Sequence, residues 1–469
     1  MKKNILKFLS VLFCVAFFLT GCATVSDVYN KDGSSIYYDD VKYFQGQVVQ
    51  VGDYIYYGNG YTDASGEDFD YNTAANTGYL SRLNVSNSFT YDDETEEDAK
   101  INTSPIGIEK VNDKLIGYQN QEMFALGNYI YFTSANTHKT SNLENDYTQV
   151  SLFRIKFNGD GFQEFGTFRN DEKSIRTVQK GSDNNYYYII YAPSGDEEKY
   201  NLYSIKIGDS IGDTITLAED VKSVAICDET STQKNIIYSV TSENTEIATD
   251  AVKSVDFATG EVTNLDPGVA GSTISFVGRV GDIVFYSYTL SGITEVYYKD
   301  TEVYYKDIVN SDKYFNPTRE NKFYNATSIS NIQAAGKGYV FISTTSSSVM
   351  YKTLDNSFDP IALLTSEDYS DLLFIDGDYV YFSNDTTIGR INIINKINDE
   401  NAQAETLVTM TSIISGQCGY TGDYIYFYAQ IENTESGDSS SEESEADANY
   451  YMYRTDKQGN YQLVGQTNK

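Results

Sequence analysis

Enzyme chemistry needs a histidine, a matched pair of carboxylates, an activated thiol or hydroxyl, or a cluster of metal ligands. This chain of 469 residues offers few of these. Its single histidine, His138, lies among Asn, Thr and Lys in the insertion Ser134–Gln149, where a surface side chain is expected. One histidine argues against a histidine-based triad or a histidine-rich metal site. The chain holds 67 Asp and Glu against 34 Lys and Arg, a formal charge of −33. So acidic a surface repels phosphate backbones, so no nucleic-acid partner is expected. Two carboxylates facing each other in a channel would hydrolyse a glycosidic bond, yet among 67 acids the sequence nominates no pair. Asp92–Asp98 holds six acids in seven residues and Glu432–Asn449 holds seven among Ser, Asn and Ala. Both lack the alternating ligands and central Gly of a calcium loop and read as solvated loops, with 432–449 expected to be disordered. Asn158-Gly159-Asp160-Gly161 reads as a hairpin turn. No nucleophile elbow, zinc signature or phosphate loop is present, and no catalytic residue, metal or cofactor is expected.

The one residue with a clear chemical fate is Cys22. The N-terminus places Lys2, Lys3 and Lys7 before an apolar stretch from Phe8 to Leu19, the size of a signal-peptide core. Leu19-Thr20-Gly21-Cys22 follows and resembles the bacterial lipobox. That resemblance implies cleavage of residues 1–21, a diacylglycerol thioether on Cys22 and often a further acyl chain, such as palmitate, on its new amine. Two or more chains anchor stably where one does not. Losing three Lys takes the mature charge from −33 to −36. No later segment is apolar enough to span a bilayer. The expectation is an exported body, lipid-anchored to the outer face of the bacterial cell membrane, or to the outer membrane in a diderm. Residues 22–36 are expected to be the lipidated Cys and a short polar tether, and 37–469 a single domain. Cys227 and Cys418 remain, far apart in sequence, either as two small buried residues or as a disulfide.

An internal repeat organises that domain. Gly52-Asp53-Tyr54-Ile55-Tyr56-Tyr57 recurs at Gly127–Phe132, Gly377–Phe382 and Gly422–Phe427. Weaker copies begin at Gly281 and Gly338, and degenerate ones at Asn185 and Asn235, making eight starts. Each reads as a tight turn followed by a strand that is apolar on both faces. A second strand follows most copies, as in Leu80–Leu83, Leu152–Ile155, Ile388–Ile391 and Tyr451–Arg454. Further runs such as Glu261–Leu265 and Pro360–Leu364 close the unit, and others such as Gln47–Val51 and Leu372–Ile375 precede the turn. The 370 residues from Gly52 to Gly422 divide into seven intervals of about 53, near the length of a four-stranded propeller blade with insertions. The expected fold is all-β, a β-propeller of eight four-stranded blades, with seven as the alternative count.

Gly127-Asn128-Tyr129-Ile130-Tyr131-Phe132, followed by Leu152–Gly161 and Phe165, is similar to bacterial lipoprotein propellers of unknown function. Those are themselves likened to the YWTD-type propeller of low-density-lipoprotein receptors. The likeness covers roughly residues 40–466. It implies a propeller fold and supplies no catalytic residues. The family usually has Trp where Tyr54 and Tyr129 stand, and this chain has no Trp.

The longer insertions, 58–78, 134–149, 192–199, 242–251 and 428–449, fall mostly between the second and third strands of a blade and so gather on one face, a common place for binding. Tyr61, Tyr71 and Tyr147 in those loops are the candidate contacts. The expected function is non-catalytic binding of an envelope protein or polysaccharide. The alternatives are a glycoside hydrolase or lyase using channel carboxylates, and a structural subunit of an envelope complex. Thr294–Asp300 (TEVYYKD) is repeated at once as Thr301–Asp307. A seven-residue repeat inside one strand would turn the second copy to the opposite face, so one copy is expected to leave the strand.

Overall fold

The computed structural model describes residues 28–29, 33–43, 48–59, 79–84, 109–115, 123–134, 149–171, 173–195, 199–226, 231–242, 248–300, 315, 322–324, 329–354, 359–413, 418–430 and 451–466. Among these lie 33 strands in seven antiparallel sheets and one short helix, Ile393–Asn398. The all-β class expected from the repeat is what the chain adopts.

The sheets follow one another along the chain. The first holds Val48–Val51, Tyr54–Asn59, Tyr79–Asn84 and Glu109–Leu115. The second holds Phe124–Gly127, Tyr129–Ser134, Gln149–Lys156 and Gln163–Arg169, with Tyr38–Tyr43 added beside Phe124–Gly127. The third is seven strands wide, from Ile175–Lys180 to Val262–Asp266. Its middle strand, Thr214–Ala225, serves twice: Thr214–Ala218 pairs with Tyr200–Ile207, and Val221–Ala225 pairs with Asn235–Thr241. Asp220, at φ 53°, marks the change of direction. The fourth, fifth and sixth sheets begin at Thr273, Ile329 and Asp371 and have four strands each. In the seventh, two short strands, Ser412–Ile413 and Gly419–Tyr420, share the edge of Tyr424–Gln430, followed by Tyr451–Asp456 and Tyr461–Gln466.

All eight repeat starts open the second strand of such a group, two of them in the third sheet. The glycines of the clear copies turn at positive φ, 57° at Gly52 and 59° at Gly377, which a side chain resists. The strand behind the turn is apolar on both faces because it is packed on both. Alternate residues serve different neighbours: Tyr56 joins Ile130 and Phe132 in one cluster, whereas Ile55 and Tyr57 join Tyr426 and Tyr428 in another. Eight clusters recur in this way. One links sheets one and two, the next sheets two and three, and another the two halves of the third sheet. Four more link the third through seventh sheets in order. The last joins Tyr426, Tyr428, Met452 and Val464 to Val48, Ile55, Tyr57 and Leu83, so the packing closes on itself. Each buried large apolar side chain contributes roughly 1.5–3 kcal/mol.

Four arginines recur at one position of the repeat, and two of them reinforce seams. Arg82, Arg154, Arg390 and Arg454 stand directly across from the second tyrosine of the clear repeats, Tyr56, Tyr131, Tyr381 and Tyr426. Each guanidinium lies 4.2–4.7 Å from the ring centroid of the first tyrosine, Tyr54, Tyr129, Tyr379 or Tyr424. Arg82 is fully buried and its Nη1 donates to the Phe157 carbonyl of the next sheet at 3.2 Å, which the Tyr56 hydroxyl also reaches at 2.5 Å. Arg154 and Tyr131 repeat the arrangement on Gly208 O, at 2.6 and 3.1 Å.

Turns of one kind share one face. Those between the first and second strands touch those between the third and fourth strands of the neighbour: Ser182 Oγ donates to Asp256 at 2.9 Å, and Lys457 pairs with Asp376. This turn face also carries the Asn158–Gly161 hairpin, with Asp160 N donating to Asn158 Oδ1 at 3.1 Å, as its sequence indicated. Connections between second and third strands leave the opposite end.

Part of the expected tether is packed. Val28 and Ile36 are buried in the first cluster, and Tyr29 bridges to Ser35. The structured body therefore begins before residue 37, because two isolated apolar side chains find a place against the first turn. The first TEVYYKD copy lies in strand Ile293–Asp300, paired along its length with Ile283–Leu290. The second copy lies outside the described residues.

Candidate functional site

Cys22, Tyr61, Tyr71 and Tyr147 lie outside the described residues, as do His138, Cys227 and both acidic tracts. What the structure places is the set of hairpins that carry the loops. Asn59 pairs with Tyr79 at the stem of the loop holding Tyr61 and Tyr71. Ser134 pairs with Ser151 at the stem of the loop holding Tyr147 and His138. The stems Pro193–Tyr200, Thr241–Asp250 and Ala429–Tyr451 leave the same end of their own sheets. The five stems are consecutive around the circuit, since the seventh sheet packs on the first, where the Tyr428 hydroxyl donates to Gly58 O. In the fourth, fifth and sixth sheets the equivalent connections are short turns at 291–292, 344–347 and 384–386. Two longer connections, 85–108 and 301–321, leave the other face.

The floor between the third and fourth stems is a polar chain. Tyr191 and Tyr200 stack with centroids 4.9 Å apart, both buried. The Tyr200 hydroxyl donates to Asp171, and the Tyr191 hydroxyl donates to Lys222 O at 2.9 Å. Lys222 pairs with the buried Asp250, whose other oxygen accepts from Ile274 N at 2.9 Å. Burial works to raise the Asp171 carboxyl, but hydrogen bonds from Tyr200, Ser174 and the backbone outweigh it and hold its pKa below the ordinary value. Burial, with Tyr200 and Asp171 beside it, pushes the Tyr191 phenol up. These groups are occupied with one another. They stiffen the base from which the loops rise.

Among the described residues no group of three or more His, Cys, Asp or Glu side chains could hold a metal ion. Cys418 is a free thiol in a small cavity with Leu373, Phe374, Tyr420 and Ile425, with room for about one water. Burial, and then the Asp371 carboxylate, pushes that thiol up to about 12, so it stays protonated and a poor nucleophile. The first strand of the sixth sheet carries two carboxylates, Asp371 and Asp376, at its opposite ends. A bulge between Leu372 and Phe374 sets them opposite Ser383 and Tyr379, so they share one face of the sheet and stand roughly 14 Å apart along the strand. Asp376 is also held by Lys457. No helix among the described residues is long and apolar enough to cross a membrane.

No protein-family model matches the chain, and no curated protein is similar to it at a significant level. Among solved structures it is similar to TolB from Acinetobacter baumannii, at 12% identity over 67% of this chain and 75% of that one, with a TM-score of 0.29. It is also similar to oligopeptidase B from Leishmania major, at 9% identity and a TM-score of 0.40 over 75% of this chain; the chain spans 49% of that enzyme's length. A third is a eukaryotic initiation factor, at 9% identity and a TM-score of 0.38 over 74% and 86% of the two chains.

The sequence reading missed the four repeated arginines and the Asp171–Tyr200–Tyr191–Lys222–Asp250 chain. The arginines had a signal, an Arg in the strand after each clear Gly-Asp/Asn-Tyr turn. The chain had none, since its members are far apart in sequence.

Proposed function

We propose that this protein is a lipid-anchored, eight-bladed β-propeller that binds an envelope protein or polysaccharide through the face carrying its long loops. Eight repeat starts and eight clusters that close on themselves support the blade count. On this reading the third sheet is two blades fused through Thr214–Ala225. The lipobox at Cys22 supports the anchor.

The observation that carries the binding reading is the grouping of five neighbouring stems at one end. A rigid base holds variable loops in fixed relative positions, which is what recognition of a large partner requires. Tyr61, Tyr71 and Tyr147 rise from adjacent stems, and tyrosine supplies contact area with little rotamer entropy to lose.

The test is affinity capture from native envelope extract with a soluble Ala23–Lys469 form, which keeps Val28. Shortening loops 60–78 and 135–148 to tight turns is expected to abolish capture while the melting temperature holds. Capture of the same partner by the shortened protein would sink the proposal.

A further inference from the structure

We infer that the turn face of this molecule looks toward the bilayer and the loop-bearing face looks away from it. The inference rests on the reading of Cys22 as a lipid anchor and adds the orientation that follows from where the chain enters the body.

The entry point is pinned. A side chain built on Gly52 would come within 2.8 Å of Ile36 Cδ1 and 3.8 Å of Val28 Cγ1, so both residues sit directly against the first turn of the turn face. Tyr37 lies over Gly127, the next turn, where an added Cβ would meet its ring at 3.5 Å, and its hydroxyl donates to Asp209 at 3.1 Å in a turn of the third sheet. Strand Tyr38–Tyr43 then runs antiparallel to Phe124–Gly127, away from the turn face. Asp40 accepts from Lys180 Nζ at 2.8 Å and from the Tyr186 hydroxyl at 2.5 Å. Residues 28–29 and 33–38 therefore lie on the turn face, spread over three sheets.

Only Ala23–Asp27 separate Cys22 from Val28. Six Cα steps reach about 20 Å at full extension. A strand such as Tyr186–Pro193, eight residues at ~3.4 Å each, spans about 25 Å from face to face. The lipid cannot pass around the body to the other end, so the surface beside it is the turn face. Asp53, Asp378 and Asp423 in its turns are repelled by an anionic headgroup layer, whereas Lys337 and Lys206 are attracted to it. Orientation is set by the tether.

The test uses the full lipidated chain in phosphatidylcholine–phosphatidylglycerol vesicles containing a headgroup-labelled acceptor lipid. A donor dye is attached through Asp160→Cys on the turn face or Ser346→Cys on the opposite face, both exposed, in a Cys227→Ser background. Energy transfer from the Asp160→Cys site is expected to be several-fold more efficient. Equal or reversed transfer, in protein that floats with the vesicles, overturns the orientation. Protein that does not float overturns the anchor reading beneath it, a separate failure. Ile36→Ser, which loosens the entry segment, is expected to shrink the difference while flotation persists; a difference left intact would show that this segment does not set the orientation.

Discussion

Two adjacent tyrosines in the first repeat show how one side chain type plays opposite roles. The Tyr56 hydroxyl donates to Phe157 O across a seam, and Arg82 meets both groups. The Tyr57 hydroxyl is buried, and no described group accepts from it. Burial drives its pKa up, as expected for a phenol held among apolar neighbours. Removing a satisfied buried hydroxyl costs about 1 kcal/mol, whereas removing an unsatisfied one relieves a desolvation cost. Denaturant melts should therefore show Tyr56→Phe destabilised by roughly 1 kcal/mol and Tyr57→Phe unchanged or slightly more stable. Equal losses at both positions would contradict the assigned partners. The tyrosines were legible in sequence because they recur at fixed offsets from Gly-Asp or Gly-Asn. The arginines were visible but read as ordinary strand residues, because nothing local says that an Arg at Arg82 is fully buried over an aromatic face.

At the scale of elements, the turns were easily read and their surroundings were not. Gly52 and Gly377 share a positive φ, so an alanine at either bears a backbone cost of about 1–2 kcal/mol. A methyl added at Gly377 meets nothing within 4 Å beyond its chain neighbours, whereas at Gly52 it meets Ile36. Thermal melts should rank Gly52→Ala as clearly worse than Gly377→Ala, and deletion of residues 23–36 should remove the extra penalty. If the two substitutions cost the same, the entry segment is not docked on that turn. This docking was hidden because ATVSDVYNKDGSS is small and polar, and its two Val with Ile36 after them make no period. The double use of Thr214–Ala225 was hidden for the opposite reason: no Gly or Pro interrupts TITLAEDVKSVA to announce a boundary.

For the whole molecule, acidity and stability are linked through particular carboxylates. Hydrogen bonds from Lys322 and Tyr297 hold Glu295 below its ordinary pKa. At Asp171, Asp183 and Asp456, desolvation pulls upward but hydrogen bonds to side chains and backbone prevail and the values fall. A carboxyl with a lower pKa folded than unfolded adds stability above its unfolded value, and that share is lost as pH drops through the folded value. Melting temperature, followed at high salt to screen self-repulsion, should stay flat from neutral pH to about 5 and fall below about 4. Glu295→Gln should soften that fall, and an unchanged acid limb in this variant would contradict the assignment. At this scale the all-β class and the eight starts were legible, because lateral repetition leaves a periodic trace. The polar chain from Asp171 to Asp250 was not, since it depends on how neighbouring groups meet.

The strand Thr214–Ala225 has a consequence for how such a chain can change over generations. Repeat proteins grow and shrink when recombination adds or deletes one module at a boundary. Elsewhere among the described residues, apart from Tyr38–Tyr43 laddered onto Phe124–Gly127, neighbouring sheets share no strand, so a splice between them leaves most backbone ladders whole. Between the third and fourth modules the boundary falls inside a continuous strand, within one residue of Asp220. A crossover there would strip an edge from both modules. The two halves of the third sheet are thus expected to be gained or lost together.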